Sequence, residues 1–550
     1  MHPTRFALAP VAIAALALGC SSAQAFTFES GDIRGNFDST VQAGFGLRMQ
    51  SPSCSLITEG ATGPNAPAGC LAPTSLLGDQ GNLNYGKHDF FAGYLKGTHE
   101  LFLKMPQDVD FLFRFNWVAD GAATRTTGIT SATSPPPPSV IDGLADDAYD
   151  ALRFQARLLD LWVSKRFQIG EQQARVRLGY QVISWGESLF LPGGINATNA
   201  MDIMRLSQPG TQLKEVYIPA PILSLSTGLG NGFNLEGYVQ FAWNASYFPP
   251  TGSYWSVVNG LGKGSMAYGL ETVNPSNGQQ WGVALRYQPT GTQLNLGAYA
   301  MAFQDKTPNF SVNIDGTGAV GWTYAKDRRL YGVSANFPVG DLAVGTELSY
   351  RPKDAVALNS ATSGCSSQNG NCWVDESRWQ WALTGLLSLT PDTGGGLLKL
   401  LGADTATLLA EAVVIRYPNL KQSYGPDLIT AGGWGWGQLT NPAAAPVALG
   451  SKTSSGINFD FSWVYDGTVI PGWQVVPEIY YFRALSGHTP NLSGLFMSGA
   501  SSANFILSFI QNPANWQISL NYATFWGGSS ALDQPLSDRD FFGVVLSRNF

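Results

Sequence analysis

Few side chains in this sequence are spaced to make or break bonds. Beyond the first 25 residues three histidines remain, His88, His99 and His488. His99 stands beside Glu100 in an alternating stretch, so the two side chains point to opposite faces and cannot form a catalytic dyad. No Gly-x-Ser-x-Gly elbow, paired-histidine zinc motif or phosphate loop occurs. An enzyme, a metal site and a bound cofactor are therefore not expected.

The remaining charges suit a different chemistry, that of binding and steering. Arg175, Arg177, Glu236, Arg286 and Glu347 occupy the polar phase of alternating stretches. If those stretches close into a barrel, these side chains point inward, where they brace the wall or set a field along it. A second group lies in one irregular run, from Gly179 to Pro221. It opens as alternating strand, breaks at Trp185-Gly186, and continues without strand periodicity past Pro192, Pro209, Pro219 and Pro221. So long an irregular run marks a place to look for function. Trp185, Glu187, Met201, Asp202, Met204, Arg205, Lys214 and Glu215 are its candidate path-lining or gating residues. Asn199 to Leu206 reads as a two-turn helix capped by Asn199, with Asp202 and Arg205 paired at i,i+3. Met201 and Met204 would give it an adaptable apolar surface. The alternative for the whole run is an external loop packed on its neighbours.

The elements that must hold these residues follow from composition and period. Charged residues make up 13% of the 550, about half the roughly 25% of a soluble protein. Much of the surface therefore does not face water. Arg5, the apolar run Ala7 to Leu18 and Ala23-Gln24-Ala25 read as a secretory signal peptide over residues 1–25, cleaved before Phe26. A lipoprotein reading at Cys20 lacks the large aliphatic residue that usually stands three positions earlier. Cleavage leaves 31 basic against 39 acidic residues, and an acidic chain without a basic cluster argues against nucleic acid as a partner. The most helix-like apolar stretch, Leu397 to Ile415, is cut by Lys399, Asp404 and Glu411, so no helical membrane anchor is expected. Cys54, Cys70, Cys365 and Cys372 fall as two local pairs in loop-like sequence, and local disulfides are the simplest connectivity.

Period-two alternation dominates. Val109, Phe111, Phe113, Phe115 and Trp117 alternate with Asp110, Leu112, Arg114 and Asn116. Trp516, Ile518, Leu520 and Tyr522 alternate with Gln517, Ser519, Asn521 and Ala523. Short turns (106–108, 171–173, 289–291, 338–341, 512–515) take turns with long polar loops (50–88, 120–150, 244–279, 304–326, 352–377, 417–453, 486–502). That is the pattern of a membrane barrel with one short-turn rim and one long-loop rim. The cysteine pairs and the Pro135–Pro138 run fall in long loops. The last strand ends on Phe550, like the assembly signal of bacterial outer-membrane barrels. With no water in the hydrocarbon every backbone amide must be paired, and without apolar helices only a closed sheet can do so. The expectation is an all-β transmembrane antiparallel barrel of about 16–18 strands over 26–550, with 187–220 inserted as a plug or cap. Strand parity puts Trp185 at the external rim.

The run GYQVISWGESLFLPGGIN, followed by NAMDIMRL, PGTQLKE and VYIPAPILSLS, resembles the proteobacterial outer-membrane proteins grouped as domain of unknown function family 1302. The start FTFESGDIRGNFDSTVQAGFGLR is similar to that family's opening strand. Ala197-Thr198-Asn199-Ala200 replaces a more proline-containing version of the segment. The resemblance implies an outer-membrane protein of a Gram-negative bacterium, encoded near RND-type exporters and a periplasmic lipoprotein-like partner. It also implies movement of hydrophobic or lipid-like molecules. Outer-membrane lipid and the barrel assembly machinery, acting through the Phe550 strand, are the other expected partners. A general polar-solute porin and a purely structural outer-membrane protein are the alternatives.

Overall fold

A computed structural model describes residues 26–57, 63–67, 80–127, 141–278, 280–312, 314, 318–359, 365, 368–430, 449–491, 493, 495–530 and 533–550. The signal-peptide stretch 1–25, Cys70 and the Pro135–Pro138 run lie outside the described residues. Eighteen antiparallel strands form one closed sheet. In chain order they are β1 (Ile33–Arg48), β2 (Phe90–Met105), β3 (Val109–Asp120), β4 (Phe154–Ile169), β5 (Gln172–Gln181) and β6 (Ala220–Gly230). Next come β7 (Phe233–Gln240), β8 (Gln280–Tyr287), β9 (Asn295–Phe303), β10 (Arg328–Val339), β11 (Leu342–Asn359) and β12 (Trp373–Leu389). The circuit ends with β13 (Thr405–Arg416), β14 (Thr453–Ile470), β15 (Trp473–Ser486), β16 (Ser501–Gln511), β17 (Trp516–Trp526) and β18 (Phe541–Asn549). Each strand pairs with its successor, and β18 closes on β1 from Thr40↔Asn549 to Arg48↔Phe541. Closure leaves no unpaired edge, as a hydrocarbon environment demands.

Alternation assigns the two faces. Leu178, Tyr180, Leu223, Leu225, Val283, Leu285, Trp379, Trp381 and Phe505 are exposed on the outside. A continuous exposed apolar belt would be untenable in water and is the lipid face of a membrane barrel. Among the described residues, no helix is long and apolar enough to cross a membrane. The start of the most helix-like stretch falls in a short helix on the short-turn rim, Gly395–Leu401, and its residues from Thr405 on belong to β13.

The connections separate by rim. On one rim lie tight turns such as Gly340-Asp341, where Gly340 takes φ +59°, a backbone region that favours glycine. On the other lie the long loops. Two expectations need correction. Half of the stretch 352–377 is strand: β11 runs on to Asn359 and β12 starts at Trp373, with a register break at Arg351/Asp354. The connection 527–540 also belongs to the long-loop rim, which the expected loops omitted.

Candidate functional site in the lumen

Residues 182–219 leave the wall between paired strands, since Gln181 on β5 faces Ala220 on β6 at the long-loop rim. Their first half reaches one side of the barrel. The Trp185 indole donates to Glu236 on β7 at 2.7 Å. Glu187 accepts from Ser334 and Asn336 on β10 at 3.3 and 3.2 Å. The Phe190 ring meets Tyr480 on β15, 5.7 Å between centroids. The second half reaches the other side. Arg157 on β4 pairs with Asp202, Lys96 on β2 pairs with Glu215 at 2.7 Å, and the Tyr94 hydroxyl donates to the Pro209 carbonyl at 2.8 Å. A single segment that touches β2 and β4 as well as β10 and β15 of a closed wall reaches from one side of it to the other.

Two wall carboxylates hold the first half by its backbone. Glu347 on β11 accepts N–H groups of Glu187 (2.6 Å), Ser188 (3.2 Å) and Ile195 (3.0 Å). Glu411 on β13 accepts those of Phe190 (2.6 Å) and Leu191 (3.0 Å), together with the Ser188 hydroxyl. Successive N–H groups curled round an oxygen form an anion nest. The sequence allows the approach because of its glycines: a Cβ on Gly194 would fall 2.0 Å from Glu347 Oε1, and one on Gly186 2.3 Å from Oε2. Glu347, expected as a plain wall charge, is a clasp.

The second half is pinned by charge. The helix spans Ile203–Ser207, and its cap is Asp202, whose carboxylate accepts the Arg205 N–H at 2.9 Å. Asn199 is not the cap; its amide instead bridges the Ile183 backbone N–H and carbonyl at 3.2 and 2.7 Å. The expected start of that helix, Ala200–Met201, pairs as a two-residue strand with Tyr217–Ile218. Arg205 donates to Gln155 at 3.0 Å and lies 3.8 Å from Asp202 and 4.0 Å from Glu215. Glu215 is buried and also accepts from Thr98 at 2.9 Å. Met201 is buried, Met204 packs on an aromatic cluster around Tyr254, and Lys214 is exposed.

That cluster marks an element the sequence reading missed. Within the long 241–279 connection, Thr251 to Leu261 are all buried, folded into the mouth of the barrel. Two fully buried guanidiniums, Arg48 and Arg539, lie 6.0 and 5.5 Å from the Tyr254 ring. Arg539 donates to the carbonyls of Tyr254 and Ser256 and to Asn82. The available signal was the absence of any charged residue from Phe241 to Gly262, since a solvated loop of that length carries some. On the same long-loop rim Cys365 and Cys372 form a disulfide. His99 faces the lipid side between Ser39 (2.9 Å) and Trp117 (3.0 Å), while Glu100 faces inward to Arg114.

The free inner wall is charged. Arg114 bridges Glu100 and Asp160 at 2.6 and 2.8 Å. Arg286 pairs with Glu236 at 2.9 Å. Arg175 donates to Ser164, and the Arg177 guanidinium lies 4.2 Å over the Trp162 ring. Near the short-turn rim Arg166, Gln173, Arg175, Asn234, Glu236 and Arg286 line a cavity of about 360 Å³. Of the five expected wall charges, the structure brings together Arg175, Arg177, Glu236 and Arg286; Glu347 stands apart, on the inserted segment.

Comparison with solved structures finds barrels at low similarity. Acinetobacter baumannii OccAB1 is 10% identical, with 94% of this chain and 96% of that chain covered at a TM-score of 0.44. Pseudomonas aeruginosa OpdK, solved with vanillate, is 9% identical, with 94% and 98% covered at 0.41. Pseudomonas aeruginosa OccK2 (OpdF), in complex with glucuronate, is 10% identical, with 94% and 98% covered at 0.40. Nothing about substrate follows from likeness at this level. Comparison with curated proteins gives no match. The sequence itself, over residues 6–550, matches the family described as protein of unknown function (DUF1302), and the chain belongs to that family.

Proposed function

We propose that this protein is an outer-membrane channel of a Gram-negative bacterium that passes amphipathic or hydrophobic small molecules and is gated by the segment crossing its lumen. The observation that carries the reading is the free face of that segment. Leu189, Leu206 and Leu213 are 45%, 49% and 69% exposed there, inside a wall whose open stretches bear arginines and carboxylates. An apolar surface held within a charged tube suits cargo with an apolar body and a polar group. The lipid-facing apolar belt supports residence in the outer membrane, with insertion by the barrel assembly machinery. Cargo would cross chemically unaltered. An RND-type exporter or a periplasmic partner would meet the short-turn rim.

A general polar-solute porin is the second reading, favoured by the Glu100–Arg114–Asp160 ladder on the open wall. Reconstitution in planar bilayers separates the two. A large steady conductance of the wild-type protein would sink the gated channel. A quiet barrel that restores growth of a deletion strain on an apolar carbon source supports it. Deleting residues 195–210 should then open the pore; unchanged conductance and uptake would reduce the segment to packing.

A further inference from the structure

We propose that the cavity beside Arg175 binds an organic carboxylate. This rests on the channel reading and names its substrate class.

The charges around the cavity are unequal in their partners. Arg166 faces Asp110 at 3.4 Å and Arg286 faces Glu236 at 2.9 Å. Among the described residues Arg175 donates only to the neutral Ser164 hydroxyl, at 3.3 and 3.1 Å. Among the described residues no carboxylate lies within 4 Å of either Arg175 or Arg177. The two follow each other at i,i+2 on β5, so both project to the lumen side. Trp162 lies beneath them, 5.6 Å from the Arg175 guanidinium and 4.2 Å from that of Arg177. Asp110 and Asp160 lie near enough to act on Arg177, whereas Arg175 has only neutral contacts, so an anion in the cavity meets a cation that no described carboxylate touches. A carboxylate matches the guanidinium fork in shape as well as charge. The remaining lining, Gln173, Ser226 and Asn234, offers neutral polar groups. A volume of about 360 Å³ also admits the apolar body of a small amphiphile.

Glu236 ties this cavity to the segment. One carboxylate oxygen pairs with Arg286 and the other accepts the Trp185 indole N–H. Trp185 stands where the segment departs from the wall.

The test uses the full chain in lipid nanodiscs and titration calorimetry with 4-phenylbutyrate. The neutral 4-phenylbutyramide and inorganic phosphate are the comparison ligands. The acid should bind at least about tenfold more tightly than the amide, and the double variant R175Q/R177Q should lose at least about tenfold, the loss of one charge-assisted contact. Lys399→Gln, far off on the short-turn rim, should bind as wild type does. If the double variant fails the heat-modifiability test of a closed barrel, Arg286→Gln serves in its place with the same expectation. Equal binding of acid and amide, unchanged affinity in the arginine variants, or full displacement of the acid by phosphate would each overturn the carboxylate site. Carboxylate binding by a barrel that never conducts upholds the site and rejects the channel; conductance without acid–amide discrimination does the reverse.

Discussion

Replacing Glu347 with alanine should unseat the inserted segment, and the size of the effect follows from its three contacts. Glu347 Oε2 receives the N–H groups of Glu187 and Ser188, and Oε1 receives that of Ile195. Hydrogen bonds to a charged group contribute about 1.5–3 kcal/mol net. Because two donors share Oε2, we count one contact per oxygen at the lower value, giving about 3 kcal/mol. The Ile195 side chain is wholly buried, so its N–H cannot find water without the segment moving. At 1.4 kcal/mol per factor of ten, the ratio of displaced to seated segment rises about 100-fold. Glu347→Gln keeps one carbonyl oxygen and should raise it about tenfold. Single-channel recording in planar bilayers reads the ratio as open probability. An alanine variant that folds as a heat-modifiable barrel and opens no more often than wild type would refute the idea that this carboxylate holds the gate.

Three further outcomes are expected. Lys96→Met removes the nearest cation from buried Glu215, leaving it Arg205 at 4.0 Å and the Thr98 hydroxyl, and should destabilise the second half of the segment by about 1–3 kcal/mol, with K96M/E215L recovering much of it; differential scanning of the detergent-solubilised barrel measures both. Arg539→Ala removes the donor to the Tyr254 and Ser256 carbonyls, at about 1–3 kcal/mol for each acceptor left dry. It should expose the bonds after Tyr254 and Trp255, now buried, so chymotrypsin should cut there in the variant and spare the wild type. Burial holds the Lys306 ammonium, in the loop after β9, down to about 7 from 10.5. The unfolded chain therefore binds more protons between pH 7 and 10.5, and stability should rise with pH through that window. Lys306→Met should abolish that part of the pH slope in thermal melts, and an unchanged slope would count against it.

The barrel was legible because lipid and lumen impose opposite demands on successive residues. Where that opposition stops, so did the reading. Above the apolar belt, β11 and β12 carry Arg351, Lys353, Asp354, Asp375, Glu376 and Arg378, and with both faces polar a strand looks like a loop. The inserted segment stood out by its lack of period, but its placement depends on partners such as Glu347 and Glu411, more than 150 residues downstream. Nothing local distinguishes a carboxylate that clasps a backbone from one that solvates a wall. The helix start was misjudged because Asn199 and Asp202 are both good caps, and the choice fell to the pairing of Ala200–Met201 with Tyr217–Ile218. The buried 251–261 stretch was hidden by its turn-rich composition.

The seam between β18 and β1 bears on the order in which the molecule is put together. The inserted segment belongs to the connection between β5 and β6, made well before the last strand. Yet a Cβ on Gly210 would meet Val545, and one on Gly543 would lie 3.1 Å from Pro209. The closing strand therefore lands on a surface that the segment helps to form. Threading it afterwards would require passing a loop of 38 residues through a mouth already crowded by 251–261. The filling goes in before the ring is joined, and a damaged segment should show itself first as a barrel that is slow to close.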